Sequence, residues 1–379
     1  MTINSGSFFE QQIATFAAEP PHTTKPYSSR AWGHGLHSLS SYQGKLKPAL
    51  AHWLVNRFTS IDEAILDPLG GVGTVAFEAG LSGRKAYTCD LSPFASSVAR
   101  GKVAPPSLSL LEHELDSFFS DVEDADLTEE DYRAAEFGLN AKVKDYYHSE
   151  TLIQVLKARK LLMNGELSKE RNFVKAVLLH ILHGNRPYAL SRTSHPITPF
   201  NPTGDFEFRD MNGRIAERCR RLLNLPLPPQ FVPGTAFHSD FRNLVSLLDR
   251  TIDAVICSPP FPGMRFDRPN WLRMWFCGWL ETDFHNTSKR FLERQQGRTF
   301  EVYNEYFAIC NEVLNPGGRV ILHVGGSKGY DMAQALKKIG MRYLRYSGMI
   351  SEAVDHVEKH GIVDKGLTSA HLLLFFERA

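Results

Sequence analysis

Short, largely apolar runs recur along the chain, and each stops at glycine, proline or a charged residue. Ala64-Ile65-Leu66, Arg84 to Cys89, Ala254 to Cys257, Arg319 to Val324 and Leu372 to Phe376 are of this kind, and another resumes at Phe231-Val232 and ends near His238. Runs of this length without strict polar alternation fit strands buried on both faces of a parallel sheet. Between them the period lengthens to that of a helix. Leu50, Trp53, Leu54 and Phe58 share one face, Val75 to Ala79 follows the first strand, Trp271 to Trp279 is helical, and Tyr303 to Leu314 closes at Asn315-Pro316-Gly317-Gly318. Strands alternating with helices predict an α/β fold with a doubly wound, mostly parallel sheet.

One long segment breaks the alternation. Thr151 to Leu182 has a helical pattern (Leu152, Val155, Leu156, Leu161, Phe173, Val174, Val177, Leu178) split at Asn164-Gly165. Ahead of it, Glu112 to Glu136 is strongly acidic, which reads as a solvated helix face turned away from any phosphate. Residues 107–225 are therefore read as a mainly helical insertion into a sheet domain made of 34–106 and 226–379. Residues 1–33 are polar and proline-bearing, and read as an arm or loosely packed lead-in.

Composition narrows the class. The 379 residues, 42% hydrophobic with 25 Phe, suffice for a sizeable core. No stretch approaches the ~20 apolar residues that span a bilayer. Met1 to Gly6 lacks a basic region followed by an apolar one, so no signal peptide is expected. The five cysteines (Cys89, Cys219, Cys257, Cys277, Cys310) contain no Cys-x-x-Cys pair, which predicts neither a zinc site nor a disulfide framework, and hence a cytoplasmic protein without metal. A net charge of +1 means that any nucleic-acid surface must be local.

Chemistry concentrates at the ends of the apolar runs. The first strand leads into Asp67-Pro68-Leu69-Gly70-Gly71-Val72-Gly73-Thr74 and a helix, and the second strand ends at Asp90-Leu91. Strand, glycine turn, helix, strand and acid form a nucleotide-binding arrangement, with Asp90 about where ribose hydroxyls would be held. The loop lacks the Gly-Lys-Ser/Thr ending of a phosphate-binding loop. Asp67 would repel a pyrophosphate but accept bonds from a cationic amino-acid moiety, which favours S-adenosylmethionine over NAD. Before the helix at Pro48, Tyr42-Gln43-Gly44-Lys45 forms a loop suited to an anion. Asp240-Phe241 ends the third strand, where a carboxylate can accept an adenine amine.

The run Asp253 to Cys257 ends abruptly at Ser258-Pro259-Pro260-Phe261. Two prolines cannot continue a strand, so the chain leaves the sheet at its carboxyl end, where open α/β sheets keep their ligands. A stiff turn with a hydroxyl, outward carbonyls and an aromatic ring suits a planar group bearing an exocyclic amine. Arg265 and Arg268 follow it, and Lys289, Arg290, Arg294 and Arg298 form the clearest basic cluster. Within the insertion, the irregular stretch 184–196 holds Arg186, Tyr188, Arg192 and His195. It reads equally as an ordered connection or as a stacking and phosphate-binding segment.

Together these residues resemble the DNA amino-methyltransferases, which methylate the N4 amine of cytosine or the N6 amine of adenine. Asp67 to Thr74 resembles that family's cofactor motif, Asp90 its ribose acid and Leu91 its neighbour, and Asp240-Phe241 the part contacting the cofactor adenine. Tyr42 and Lys45 lie in a segment similar to the one closing over the methionine part, and Ser258-Pro259-Pro260-Phe261 resembles the catalytic tetrapeptide. The resemblance covers roughly residues 37–100 and 231–325 and the final strand. It implies a seven-stranded Rossmann-like methyltransferase sheet, S-adenosylmethionine as cofactor, and methyl transfer to a flipped-out base of double-stranded DNA. A serine first in the tetrapeptide implies cytosine N4, and a cognate restriction endonuclease is the second partner such enzymes have. The insertion falls where the family's named classes do not place it, and Phe261 stands where Tyr is usual. N6-adenine, RNA and protein amines are the alternatives. Carbon-5 methylation is excluded, because it needs a cysteine nucleophile, typically in a Pro-Cys pair that this chain lacks.

Overall fold

The apolar runs form one sheet. In the computed structural model, which describes residues 7–29, 31–163, 165–297, 299–327, 331–353, 358–359, 362–363 and 368–379, the strands are β1 (Ala64–Asp67), β2 (Lys85–Asp90), β3 (Thr235–His238), β4 (Ile252–Cys257), β5 (Leu314–Ser327), β6 (Arg345–Ala353), β7 (Glu358–Lys359), β8 (Ile362–Val363) and β9 (Thr368–Glu377). Seven of them lie in the order β3-β2-β1-β4-β5-β9-β6, while β7 and β8 pair separately. Every neighbouring pair from β3 to β5 is parallel, and β9 runs antiparallel to both β5 and β6. The expected seven-stranded, mostly parallel sheet is thus observed. Its strand order reverses between β1 and β4, which opens a crevice at their carboxyl ends.

Both faces are covered, which explains the unalternating runs. Ile65, Ala86, Ile256, Ile321 and Phe375 pack with the helices Pro48–Phe58, Thr74–Leu81 and Pro93–Val103 on one side. Leu66, Tyr87, Val255, Val320 and Leu374 pack with Tyr303–Val313 and Met332–Gly340 on the other.

Among its described residues the segment 107–225 holds five α-helices, Leu108–Asp124, Glu129–Ala134, Ser149–Met163, Lys169–Ile181 and Met211–Leu223, and the short 3-10 helix Val143–Tyr146. Their buried side chains join the same core as the first sheet face. Gly101 sits in van der Waals reach of Ala176 and Phe173, and Asn172 Nδ2 donates to Ser97 O at 3.0 Å. The acidic run is partnered locally: Arg171 holds Glu114 and Asp121, Lys160 reaches Asp131, and Arg220 reaches Glu112. Among the described residues no helix is long and apolar enough to cross a membrane.

Two expectations change, and one strand has no counterpart among the apolar runs. The lead-in is not loosely packed over its described part. Phe8–Ala18 is a helix with a Ser7–Glu10 capping box. Its Phe9, Ile13 and Phe16 recur at helical spacing and are buried, with Phe9 against Phe58 and Phe375 and Phe16 against Phe58. At about 1.5–3 kcal/mol per buried side chain, that outweighs the surrounding polar composition. Next, β3 begins at Thr235 rather than Phe231. Val232 N–H donates instead to Gly80 O, and Pro233-Gly234 ends any ladder there. Finally, β6 has no apolar run behind it. It is an edge strand with a register shift between Tyr346 and Gly348, so its sequence needs only one apolar side.

Candidate active site

β1 ends at Asp67 and the chain turns through glycines whose reasons differ. A Cβ on Gly70 would lie 1.8 Å from Thr88 Oγ1 on β2, and Gly73 has φ +72° as the residue before the helix Thr74–Leu81. Asp90, at the end of β2, accepts Gly71 N–H at 2.9 Å on one oxygen and Ser92 N–H at 2.8 Å on the other. The acid from the second strand therefore ties down the loop from the first.

Across the switch point, β4 delivers Ser258. A single cavity is lined by Tyr42, Lys45, Asp67, Leu69, Gly70, Gly71, Thr74, Asp90, Leu91, Ser258 and Pro260, together with Phe266, Phe291, Leu292 and Glu293. Pro68 lies between Asp67 and Leu69 in the same loop, and Gly73 caps the helix behind it. Tyr42 stacks on Phe266 at 5.5 Å with planes 10° apart, so the segment before the first sheet helix meets the segment after the catalytic turn over the cavity. The insertion supports that roof, since Ser41 N–H donates to His180 Nδ1 at 3.2 Å. Lys45 is turned away from an anion role in this state, with Nζ donating to His37 O at 2.9 Å.

The electrostatics are unusual. Burial pushes the Asp67 carboxyl up to about 7, against bonds from Cys257 and Leu69 N–H. Burial also pushes Asp90 up to about 6, against its two N–H donors, and Glu293 to about 7. Among the described residues none of the three has an ion-pair partner, although they line one cavity. Desolvated carboxyls without a counter-ion fit a ligand that brings positive charge, as S-adenosylmethionine does with its sulfonium and ammonium groups.

Other expected site residues stand elsewhere. Asp240 is buried outside the cavity lining, and its oxygens accept the Arg242 backbone N–H at 3.1 Å and the Arg242 guanidinium at 3.1 and 3.2 Å. Phe241 is buried in the second core, against Tyr306. Pro259 is buried, and Phe261 also lies outside the lining, its ring against His323 and His371 at 5.6 and 6.0 Å.

The cations divide. Arg192 donates to Gly204 O at 2.7 Å and to Asp145 O at 3.1 Å and lies 4.2 Å over the Phe206 ring, so it clamps its own loop rather than waiting for phosphate. Arg265 pairs in bidentate fashion with fully buried Asp267, and Arg268 stands 3.9 Å from the same carboxylate. Arg186, Lys289, Arg290 and Arg294 are exposed. Arg298 lies outside the described residues.

The sequence reading missed Glu293, which sits among the cations of 289–298 and was masked by them. It also missed His323, although a histidine inside Val320-Ile321-Leu322-His323-Val324 breaks an apolar strand. His323 Nδ1 lies 3.0 Å from Ser258 Oγ, and its Nε2 lies 3.0 Å from His371 Nδ1.

The UPF0020 family (RMKL-like, methyltransferase domain) matches residues 39–134, which include the glycine loop and Asp90. No curated protein matches the chain. Among solved structures, TrmN from Thermus thermophilus is 12% identical, covering 89% of this chain and 50% of its own, with a TM-score of 0.36. The chain thus spans half the length of that protein. The rRNA methyltransferase AviRa from Streptomyces viridochromogenes is 11% identical over 93% and 92%, TM-score 0.38. A methyltransferase from Pyrococcus furiosus is 11% identical over 98% and 100%, TM-score 0.35. At this level of likeness none of the three bears on the substrate of this chain. The sheet order is that of a Rossmann-like fold, and the match to a methyltransferase domain falls on the segment that carries the glycine loop and Asp90, where S-adenosylmethionine would be held.

Proposed function

We propose that the protein transfers a methyl group to the exocyclic amine of a nucleobase, with cytosine N4 in double-stranded DNA as the expected acceptor. One observation carries the reading: Ser258 and Pro260 line the same cavity as Asp67, Asp90 and the glycine loop. Donor and acceptor groups can therefore meet without a covalent enzyme intermediate. S-adenosylmethionine, when bound, supplies an electrophilic methyl on a sulfonium. Asp67 and Asp90 orient the cationic and ribose parts. The Ser258 hydroxyl and the Pro259 carbonyl accept hydrogens of the amine, which draws its lone pair out of conjugation and aims it. Most of the acceleration then comes from positioning.

A duplex acceptor must flip its base at a cost of a few kcal/mol. Arg186, Lys289 and Arg294 are exposed cations available for phosphates, and Arg290, also exposed, stands 3.7 Å from Asp240. A second reading, methylation of RNA or another single-stranded acceptor, is favoured by the commitment of Arg192 and Arg265 within the protein, which shrinks the surface for a long duplex. The deciding experiment is transfer of tritiated methyl to duplex DNA, RNA and protein, followed by digestion. N4-methylcytosine supports the first reading and a methylated RNA base the second. Transfer only to protein, or 5-methylcytosine as product, refutes both.

A further inference from the structure

The Ser258 hydroxyl is joined to two histidines that methyl transfer, as described so far, does not use. We propose that Ser258, His323 and His371 form a relay that takes the surplus proton from the methylated amine toward the surface, with His323 and His371 as positioning residues. The proposal rests on the amine reading above.

Geometry carries it. Both ring nitrogens of His323 are engaged at 3.0 Å, one by Ser258 Oγ and the other by a second imidazole. A histidine meant only to hold a rotamer would be anchored by a carbonyl or carboxylate. His323 is 5% exposed and His371 is only partly buried, so the line runs from the cavity outward. Phe261 walls it from the side. The ring packs against both histidines and so tightly on β5 that a Cβ at Gly325 would come within 2.6 Å of it. The groups facing His323 are His371 from β9, His22 from the segment after the first helix, and Lys47 ahead of Pro48–Phe58. His22 is paired with Glu352 of β6, which lies opposite His371 in register. Burial first, and then the neighbouring His371, His22 and Lys47, drive the His323 ring down to about 3, so it stays neutral and keeps one nitrogen free to accept.

The step balances. The amine lone pair forms the new N–C bond while the methyl–sulfur bond breaks and leaves its pair on sulfur. The nitrogen, now cationic, gives one proton to Ser258 Oγ, whose own proton passes to His323 Nδ1. The proton on His323 Nε2 passes to His371 Nδ1, and His371 gives up its Nε2 proton toward the solvent side. No imidazolium accumulates on His323. Both rings end in their other tautomer, and exchange with water resets them.

The relay requires resting His323 to be protonated on Nε2, with Nδ1 accepting from Ser258. Nitrogen-15 NMR of histidine-labelled protein reads this directly, without substrate. The activity arm compares wild type with His323→Asn and His371→Gln, each checked by melting and by calorimetric binding of S-adenosylmethionine. It uses single-turnover transfer of tritiated methyl to duplex DNA and to RNA. The expected result is an unchanged cofactor affinity, a transfer rate lowered at least tenfold, and partial recovery on adding imidazole buffer, to which wild type is indifferent. An Nδ1-protonated His323, or a His323→Asn enzyme as fast as wild type, overturns the relay and leaves amine methylation standing. A wild type that binds cofactor and methylates no nucleic acid overturns the underlying reading, and the relay with it.

Discussion

Two of the unpaired carboxyls, Asp67 and Asp90, make cofactor binding a proton-linked event. Asp67 sits near 7 and Asp90 near 6, in both cases because burial disfavours the charge. A ligand carrying sulfonium and ammonium charge binds them ionised, so binding below pH 7 must expel protons. The sign follows. The dissociation constant is flat above the Asp67 value, rises tenfold per pH unit below it, and steepens again below the Asp90 value. At pH 5, Asp67 is two units and Asp90 one unit below its own value, which at roughly 1.36 kcal/mol per unit costs about 2.7 and about 1.4 kcal/mol. Together that is about a thousandfold loss of affinity between neutral pH and pH 5. The cofactor's own α-amino group titrates near ~7.7–8.0, so the useful range ends at about pH 7.5. Calorimetry at pH 6 in buffers of different ionisation enthalpy counts the protons released. Asp67→Asn should remove one of them, and binding heats independent of the buffer in the wild type would refute the assignment. Stability has the opposite sign. A carboxyl whose folded value is raised costs stability as pH climbs from the ordinary carboxylate range through about 7. Asp67→Asn keeps an acceptor for Leu69 N–H and should therefore raise the melting temperature of the cofactor-free protein at pH 8, but not at pH 4.

Asp90→Ala removes the anchor of Gly71 N–H and the proposed ribose contact, and should weaken cofactor binding by ~1.5–3 kcal/mol; an unchanged dissociation constant in calorimetry speaks against its role. Gly70→Ala drives a methyl into Thr88 Oγ1 and should cost ~1–3 kcal/mol in denaturant unfolding, with much of it restored by adding Thr88→Ala. If the double variant is no better than the single, the clash is not the cause. Arg192→Ala should lower the melting temperature without altering the salt dependence of DNA binding, because its guanidinium is spent on Gly204 O and Asp145 O. Gln at Lys289, Arg290 or Arg294 should reduce the salt slope by ~0.9 for each lost phosphate contact. A fall in slope for Arg192→Ala, or none for the other three, reverses the division.

Local sequence was enough for whatever depends on neighbours along the chain. The runs at Ala64, Ala254 and Arg319 name buried parallel strands because a strand covered on both faces has no polar side to show. The loop Asp67 to Thr74 and the acid at Asp90 are legible because a tight turn before a helix needs glycine, and Ser258-Pro259-Pro260 because proline must end a strand. Tertiary structure decided the rest, where the meaning of a residue depends on what lies across from it. β6 is an edge strand with one apolar side, so no run announced it. Arg192 and Arg265 look identical to free cations in one dimension, and only the fold brings carbonyls and Asp267 to them. Glu293 becomes a cavity carboxyl because the helical turn Leu292–Gln295 sets it in the same enclosed volume as Asp90, and desolvation is a property of that volume, not of the chain. The contact of Ser258 with His323, 65 residues away, exists because β4 and β5 are neighbours in parallel register, which no local pattern encodes.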